Sequence, residues 1–307
     1  MPIDLNRCFQ IVEALQTTTK RGLVCTLGVQ NFSQDQAAFD EFVAAHGLPT
    51  NTKRCIFTSL GFAGVEALDI SKFEGCDHVF DLNSPELLPE LKGRFDVVFT
   101  GGTLEHVFDQ IAALRNVFEL LSLDGLILHT GPSNGWLDHG FYQFSPTFFT
   151  DYYSVNKFEI HDAQLMMRDG VRPGVKIIHY CPGMFDGVPN GAVSGVWNYF
   201  FVLKKTAMST HAAIPQQSAY SNLHEDLESD FTRAALPSQF PYRLVAGRKQ
   251  DVQAVPIEFP EPVKGEGHAW TISLPEWRHI SNESGQFHSC LMLKYKGKFW
   301  VPPMHSM

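Results

Sequence analysis

The chain has 307 residues, of which 44% are hydrophobic. That is enough for a sizeable core, and the natural organisation is a large α/β domain with an accessory piece. With 24 basic against 33 acidic side chains the formal net charge is −9, which repels phosphate backbones and argues against nucleic acid as the main partner. No window approaches the roughly 18 consecutive apolar residues of a membrane span. Met1-Pro2-Ile3-Asp4 does not open a signal peptide, so a cytoplasmic protein with no membrane partner is expected. The six cysteines, Cys8, Cys25, Cys55, Cys76, Cys181 and Cys290, form no CxxC pair and several lie in apolar runs; reduced thiols are expected.

The first two thirds alternates short apolar runs with helical patterns, the signature of a parallel sheet covered by helices. Residues 22–27 predict a first strand ending at Gly28. Residues 35–46 carry Ala38, Phe39, Phe42 and Val43 at helical spacing, stopped by Gly47-Leu48-Pro49. Strands follow over 65–68, closing on Asp69, over 78–80, closing on Asp81, and over 95–100, ending in Gly101-Gly102. Residues 107–121 are amphipathic, with Ile111, Leu114, Phe118 and Leu121 on one stripe, and Asp124-Gly125 turns the chain into a fifth strand over 126–130. A loop from Gly131 to Ser145 precedes a helix opened by Ser145 and Pro146. Two more strands, over 158–166 and 197–203 and pairing antiparallel, complete a seven-stranded, doubly wound α/β domain over residues 1–205.

The texture changes over 206–307, read as a linker followed by a small β-rich appendage. Residues 207–241 are polar and weakly periodic, with room for one helix over 223–235. Strand-like pieces lie at 244–246, 252–259, 269–274 and 290–301, and Lys294 to Trp300 predicts a hairpin around Gly297. The appendage is also the candidate surface for a homodimer.

In open parallel sheets ligands sit beyond the carboxyl ends of the strands, where the strand order reverses. The residues at those ends are Leu27-Gly28, with Gln30 and Asn31 just after; Asp69-Ile70; Asp81-Leu82; and Gly101-Gly102, followed by Glu105-His106. An acid ending the second strand suits the two hydroxyls of a ribose, an acid ending the third suits an adenine amino group, and glycines let backbone approach a ligand closely. After the fifth strand, Gly131 to Ser145 gathers Asn134, Asp138, His139, Tyr142 and Gln143 among aromatic residues, the mixture that an organic-acceptor pocket requires.

The run from Phe95 through Thr100-Gly101-Gly102-Thr103-Leu104-Glu105-His106-Val107 to Asp109, then Leu120 to His129, resembles class I methyltransferases. The similarity covers roughly residues 22–205. It implies a Rossmann-like methyltransferase sheet and S-adenosylmethionine lying across Leu27, Gly28, Gln30, Asn31, Asp69, Ile70, Asp81, Leu82, Gly101 and Gly102. One departure stands out: the family's first loop has glycines at alternate positions, whereas Leu27 to Phe32 has a single one. The expected reaction is methyl transfer to an oxygen, or less readily a nitrogen, of a small molecule such as a sugar or natural-product intermediate. If the acceptor is a hydroxyl a base must take its proton; His139 is the first candidate, His106 the second, and Tyr142 would orient the acceptor oxygen. Catechol methyltransferases hold a divalent ion with an adjacent Asp-Asn pair, which this region lacks, so no metal is expected. The alternative is a methyltransferase-like binding or scaffold module without catalysis, favoured by the altered first loop. Tyr153 and Lys157 match the spacing of short-chain dehydrogenases, but the glycine-rich dinucleotide loop is missing.

Overall fold

The computed structural model describes residues 3–16, 18–168, 176–180 and 195–217, with short strands at 256–257, 280–281, 287–288, 293–295 and 298–300. The central feature is a sheet whose strands are β1 (Leu23–Leu27), β2 (Gly64–Asp69), β3 (His78–Val79), β4 (Phe95–Phe99), β5 (Leu121–Asn134), β6 (Glu159–Arg168), β7 (Lys176–His179) and β8 (Val196–Lys204). Their order is β3-β2-β1-β4-β5-β8-β6-β7. The first five are parallel neighbours, and β8 lies antiparallel between β5 and β6. The seven expected strands are all present, with the last two antiparallel, and β7 adds an eighth at the edge.

Helices cover both faces. α1 (Leu5–Leu15), α2 (Gln36–Ala45) and the short α3 (Ile56–Ser59) pack on one side; α4 (Gln110–Leu120) and α5 (Pro146–Val155) pack on the other. The side chains of β8 show why the sheet needs both layers. Trp197, Tyr199, Phe201 and Leu203 face the α4–α5 side, while Phe200 and Val202 face α1–α3, and all are buried. A strand apolar on both faces is stable only when each face is covered.

Helix starts follow the caps written in the sequence. Asp4, Asp35 and Asp109 each accept a hydrogen bond from the backbone N–H three residues on, fixing α1, α2 and α4. The Asp109 cap sets α4 at Gln110, three residues later than the amphipathic pattern alone suggests. α1 was not anticipated; its Cys8, Ile11, Val12 and Leu15 form the buried stripe. β5 also runs on through Asn134, so the loop expected from Gly131 starts later: Gly131, Pro132 and Asn134 find ladder partners in Tyr199, Asn198 and Trp197.

Asp96, the second residue of β4, ties the strand starts together. Its carboxylate accepts from Gly22 N (2.9 Å), Ser122 Oγ (2.8 Å) and Lys20 Nζ (3.1 Å). Burial pushes its pKa up, but these donors outweigh it and hold the group below the usual range. In the tail, Leu293–Tyr295 pairs antiparallel with Lys298–Trp300. The pieces at 244–246 and 269–274, the helix over 223–235, and Cys181 and Cys290 lie outside the described residues. Cys8, Cys25 and Cys76 are free and buried, and Cys55 is free and partly buried.

Candidate functional site at the carboxyl ends of the strands

The chain builds β1, β2 and β3 outward and then returns to β4 on the far side of β1, so the crevice between the β1 and β4 ends is the switch point. Gly28 has φ +78°, and its N–H donates to Leu68 O at 2.7 Å. A Cβ there would meet Thr103 Oγ1 at 3.4 Å, Gln30 Nε2 at 3.7 Å and Asp69 Oδ2 at 3.8 Å. Residues from three strand ends thus converge on one glycine whose positive φ suits no bulkier residue. Leu27 is fully buried and contributes its carbonyl, which accepts from Thr103 Oγ1 (2.5 Å) and Gln30 Nε2 (3.3 Å).

Gln30 takes the place that glycines would leave open. Its Nε2 also donates to Gly101 O at 3.2 Å, and its carboxamide lies so close over Gly101 that a Cβ would come within 2.7 Å. Its Oε1 is buried without a hydrogen-bond partner. Gly102 continues the turn at φ +79° with its N–H on Thr130 O. Around this centre, Asn31 gives its carbonyl to Ile3 N, and Ile70 is 67% exposed beside Asp69. Asp81 is exposed and accepts from Asn83 N and Nδ2. Leu82 turns its side chain into the core, and its carbonyl accepts from Asn116 Nδ2.

The second half of the site starts one turn beyond Gly102. The 3-10 turn Leu104–His106 buries Glu105 completely while leaving His106 exposed. The loop after β5 docks on this turn through Glu105 O, which accepts from Phe141 N (2.7 Å) and Tyr142 N (3.3 Å). Gly140 makes the docking possible: with φ +85°, a Cβ there would lie 2.7 Å from Glu105 O and 3.1 Å from His106 Nδ1. The result places His139 against His106, ring centroids 5.2 Å apart, and its Nε2 3.8 Å from Glu105 Oε1. One ligand-type atom from each of Glu105, His106 and His139 lies within 4.8 Å of the other two.

Electrostatics sharpen this cluster. Burial raises the Glu105 pKa to about 7, partly offset by its own backbone N–H and, more weakly, by the Arg7 guanidinium. Desolvation and the neighbouring His139 both push His106 down. Tyr199 reaches the same spot from β8: a Cβ on Gly131, its ladder partner, would lie 2.5 Å from Tyr199 Oη and 3.2 Å from Glu105 Oε2. Neither Glu105 oxygen nor Tyr199 Oη has a hydrogen-bond partner. Thr103 and Tyr199 were not among the expected site residues, and Glu105, placed at the strand ends, had been given no role. Thr103 and Glu105 stand inside the matching block; Tyr199 arrives only through the β5–β8 register.

Tyr142 is placed differently from its expected role. Its hydroxyl donates to Phe108 O at 2.9 Å and its ring stacks on Phe144, which pins the loop. Tyr153 is fully buried with its hydroxyl on His129 Nε2, so it serves the core. Gln143 Oε1 accepts from Trp136 N. Among the described residues no helix is long and apolar enough to cross a membrane.

A parallel set wound outward from β1, with β8 inserted antiparallel before β6, is the sheet that the resemblance implied. The fold is a doubly wound, mixed α/β sheet with helices on both faces. Solved structures of that fold are similar at low identity. The Burkholderia thailandensis 1,6-didemethyltoxoflavin-N1-methyltransferase is 15% identical, over 66% of this chain and 78% of that one, with a TM-score of 0.37. A SAM-dependent methyltransferase from Archaeoglobus fulgidus is 12% identical, over 66% and 92%, at 0.36. A [4+2]-cyclase is 10% identical, over 66% and 80%, at 0.32. No family model and no curated protein matches the chain.

Proposed function

We propose that the chain is an S-adenosylmethionine-dependent methyltransferase acting on an oxygen of a small organic acceptor in the cytoplasm. The observation that carries this reading is the convergence of Gly28, Gln30, Asp69 and Thr103 at the switch point, one turn away from a buried acid with two histidines. The residues fit the cofactor: Gly28 leaves a cradle that a side chain would narrow, Gln30 Oε1 is an orphaned acceptor, and Asp69 Oδ2 faces the same cradle. The cofactor, when bound, supplies an activated methyl carbon. Asp69 suits the ribose hydroxyls, Gln30 the polar methionine end, and Ile70 an apolar face of the base. Asn31, Asp81, Leu82, Gly101 and Gly102 frame the remaining rim.

The chain's own chemistry concerns the acceptor. Its hydroxyl would donate toward Glu105, whose burial keeps it a proton acceptor near neutral pH, and accept from Tyr199 Oη. The Glu105–His106–His139 cluster takes up the proton, and aligning acceptor with cofactor supplies the remaining rate gain.

Calorimetric titration with S-adenosylmethionine, S-adenosylhomocysteine and NADH tests the reading: micromolar binding of the first two and none of the third is expected. Asp69→Ala removes hydrogen bonds worth about 0.5–3 kcal/mol, so affinity should fall by roughly one to two orders of magnitude. Unchanged affinity would contradict the placement. The packing of Gln30 over Gly101 favours a second reading, a binding module without turnover, which sulfur-nucleoside binding with no methyl transfer to any acceptor would support.

A further inference from the structure

The Glu105 carboxylate is fully buried, and neither of its oxygens has a hydrogen-bond donor. Burying a carboxylate this way is costly unless a proton or a cation comes to it. Arg7 acts on it through space without hydrogen-bonding it. His139 Nε2 lies 3.8 Å away and is itself buried without a hydrogen-bond partner. That distance is too long for a hydrogen bond. It is close to the spacing of two ligands on one metal ion, where bonds of about 2.1 Å set ligands roughly 3.0–3.5 Å apart. His106 completes a set in which all three ligand atoms lie within 4.8 Å, so small side-chain rotations close it.

We propose that Glu105, His106 and His139 form a binding site for one divalent transition-metal ion, of the Zn²⁺, Mn²⁺ or Co²⁺ kind. Two imidazoles and one carboxylate suit these ions better than Mg²⁺ or Ca²⁺, which prefer oxygen ligands. Three protein ligands leave coordination positions open for an outside oxygen. The scaffold is rigid where it must be. Glu105 and His106 are adjacent on one turn, and the His139 loop is clamped to that turn by Phe141 N and Tyr142 N. Trp136 flanks the His139 ring at 5.0 Å. No short window of sequence contains this set, because Glu105-His106 and His139 lie on separate loops.

The use of the ion, holding an acceptor hydroxyl and easing its deprotonation in place of proton uptake by the metal-free cluster, rests on the methyltransferase reading; the metal site itself does not. The test uses full-length protein stripped with chelator and titrated with Co²⁺, followed by visible absorption, with Zn²⁺ as competitor. One ion per chain is expected, displaced by Zn²⁺. Glu105→Gln, His106→Ala and His139→Ala should each weaken binding at least about tenfold, and His161→Ala, a surface histidine beside Glu159, should not. The His106 ring is exposed, so its removal tests the site without threatening the fold. No stoichiometric binding, or binding indifferent to all three ligand substitutions, would overturn the proposal. S-adenosylmethionine binding, measured on the same stripped protein, reports separately on the methyltransferase reading.

Discussion

Lowering the pH from 7 to 5 should cost the folded protein about 2 kcal/mol through His129 alone. This imidazole is fully buried at the centre of β5, with Nδ1 on Thr100 Oγ1 (3.0 Å), Nε2 on Tyr153 Oη (2.5 Å) and its ring stacked on Phe149. Burial lowers its pKa from 6.5 to about 3. The folded value lies below the unfolded one, so between them the unfolded chain binds the extra proton; stability present above pH 6.5 is lost as the pH falls toward 3. The slope approaches about 1.4 kcal/mol per pH unit, and integrating from pH 7 to 5 gives roughly 2 kcal/mol. Any folded value below 4 leaves that figure nearly unchanged. Urea unfolding of the wild type and of His129→Phe at pH 7, 6 and 5 isolates the effect. At pH 7 the variant should be less stable by about 2–4 kcal/mol, because the Thr100 and Tyr153 hydroxyls lose their partner. By pH 5 the gap should have shrunk by about 2 kcal/mol. A gap of constant size across the three pH values would refute the reasoning.

Asp96→Ala strips three donors of their acceptor and should destabilise the fold by about 2–4 kcal/mol in thermal unfolding, leaving cofactor affinity unchanged at temperatures where the variant is folded. Gly140→Ala forces a side chain into φ +85° and against Glu105 O. Strain of about 1–3 kcal/mol should displace the His139 loop, so turnover falls while S-adenosylmethionine affinity holds; equal loss of both would show that the loop supports the cofactor side as well. Tyr142→Phe removes only the hydroxyl bond to Phe108 O and should leave kcat within a few-fold of wild type, whereas a drop of a hundredfold or more would restore Tyr142 to the catalytic set.

The main architecture was legible because its signals are local. Apolar runs closing on Asp69, Asp81 and Gly101-Gly102 mark strands whose ends the fold brings to one edge, and Asp35 caps α2 where the periodicity begins. α1 escaped notice although Asp4 and the Cys8–Ile11–Val12–Leu15 stripe announce it. β7 is four residues long with nothing around it that distinguishes a strand from a loop. The site divides along the same line. The Gly28 cradle comes from residues adjacent to strand ends, and strand ends can be read. Glu105 meeting Tyr199 and His139 depends on the β5–β8 register and on the fit of Gly140, which no short window contains. Tyr142 has the chemistry of an active-site residue, and only the position of the Phe108 carbonyl shows where its hydroxyl goes.

The position of β8 also governs the order in which this molecule can be completed. β5 ends at Asn134 and β8 at Lys204, about 70 residues later, which at about 5–20 residues per second is an interval of roughly 4–14 s during synthesis. Throughout it β5 has no neighbour on one side, and β6, made midway and able to pair only with β7, cannot join the sheet because the strand that links it to β5 is still to come. Two apolar edges with unpaired N–H and C=O groups are open to other nascent chains in that window. Yield in a cell should therefore respond to translation rate and chaperone supply more strongly than the stability of the finished fold would suggest.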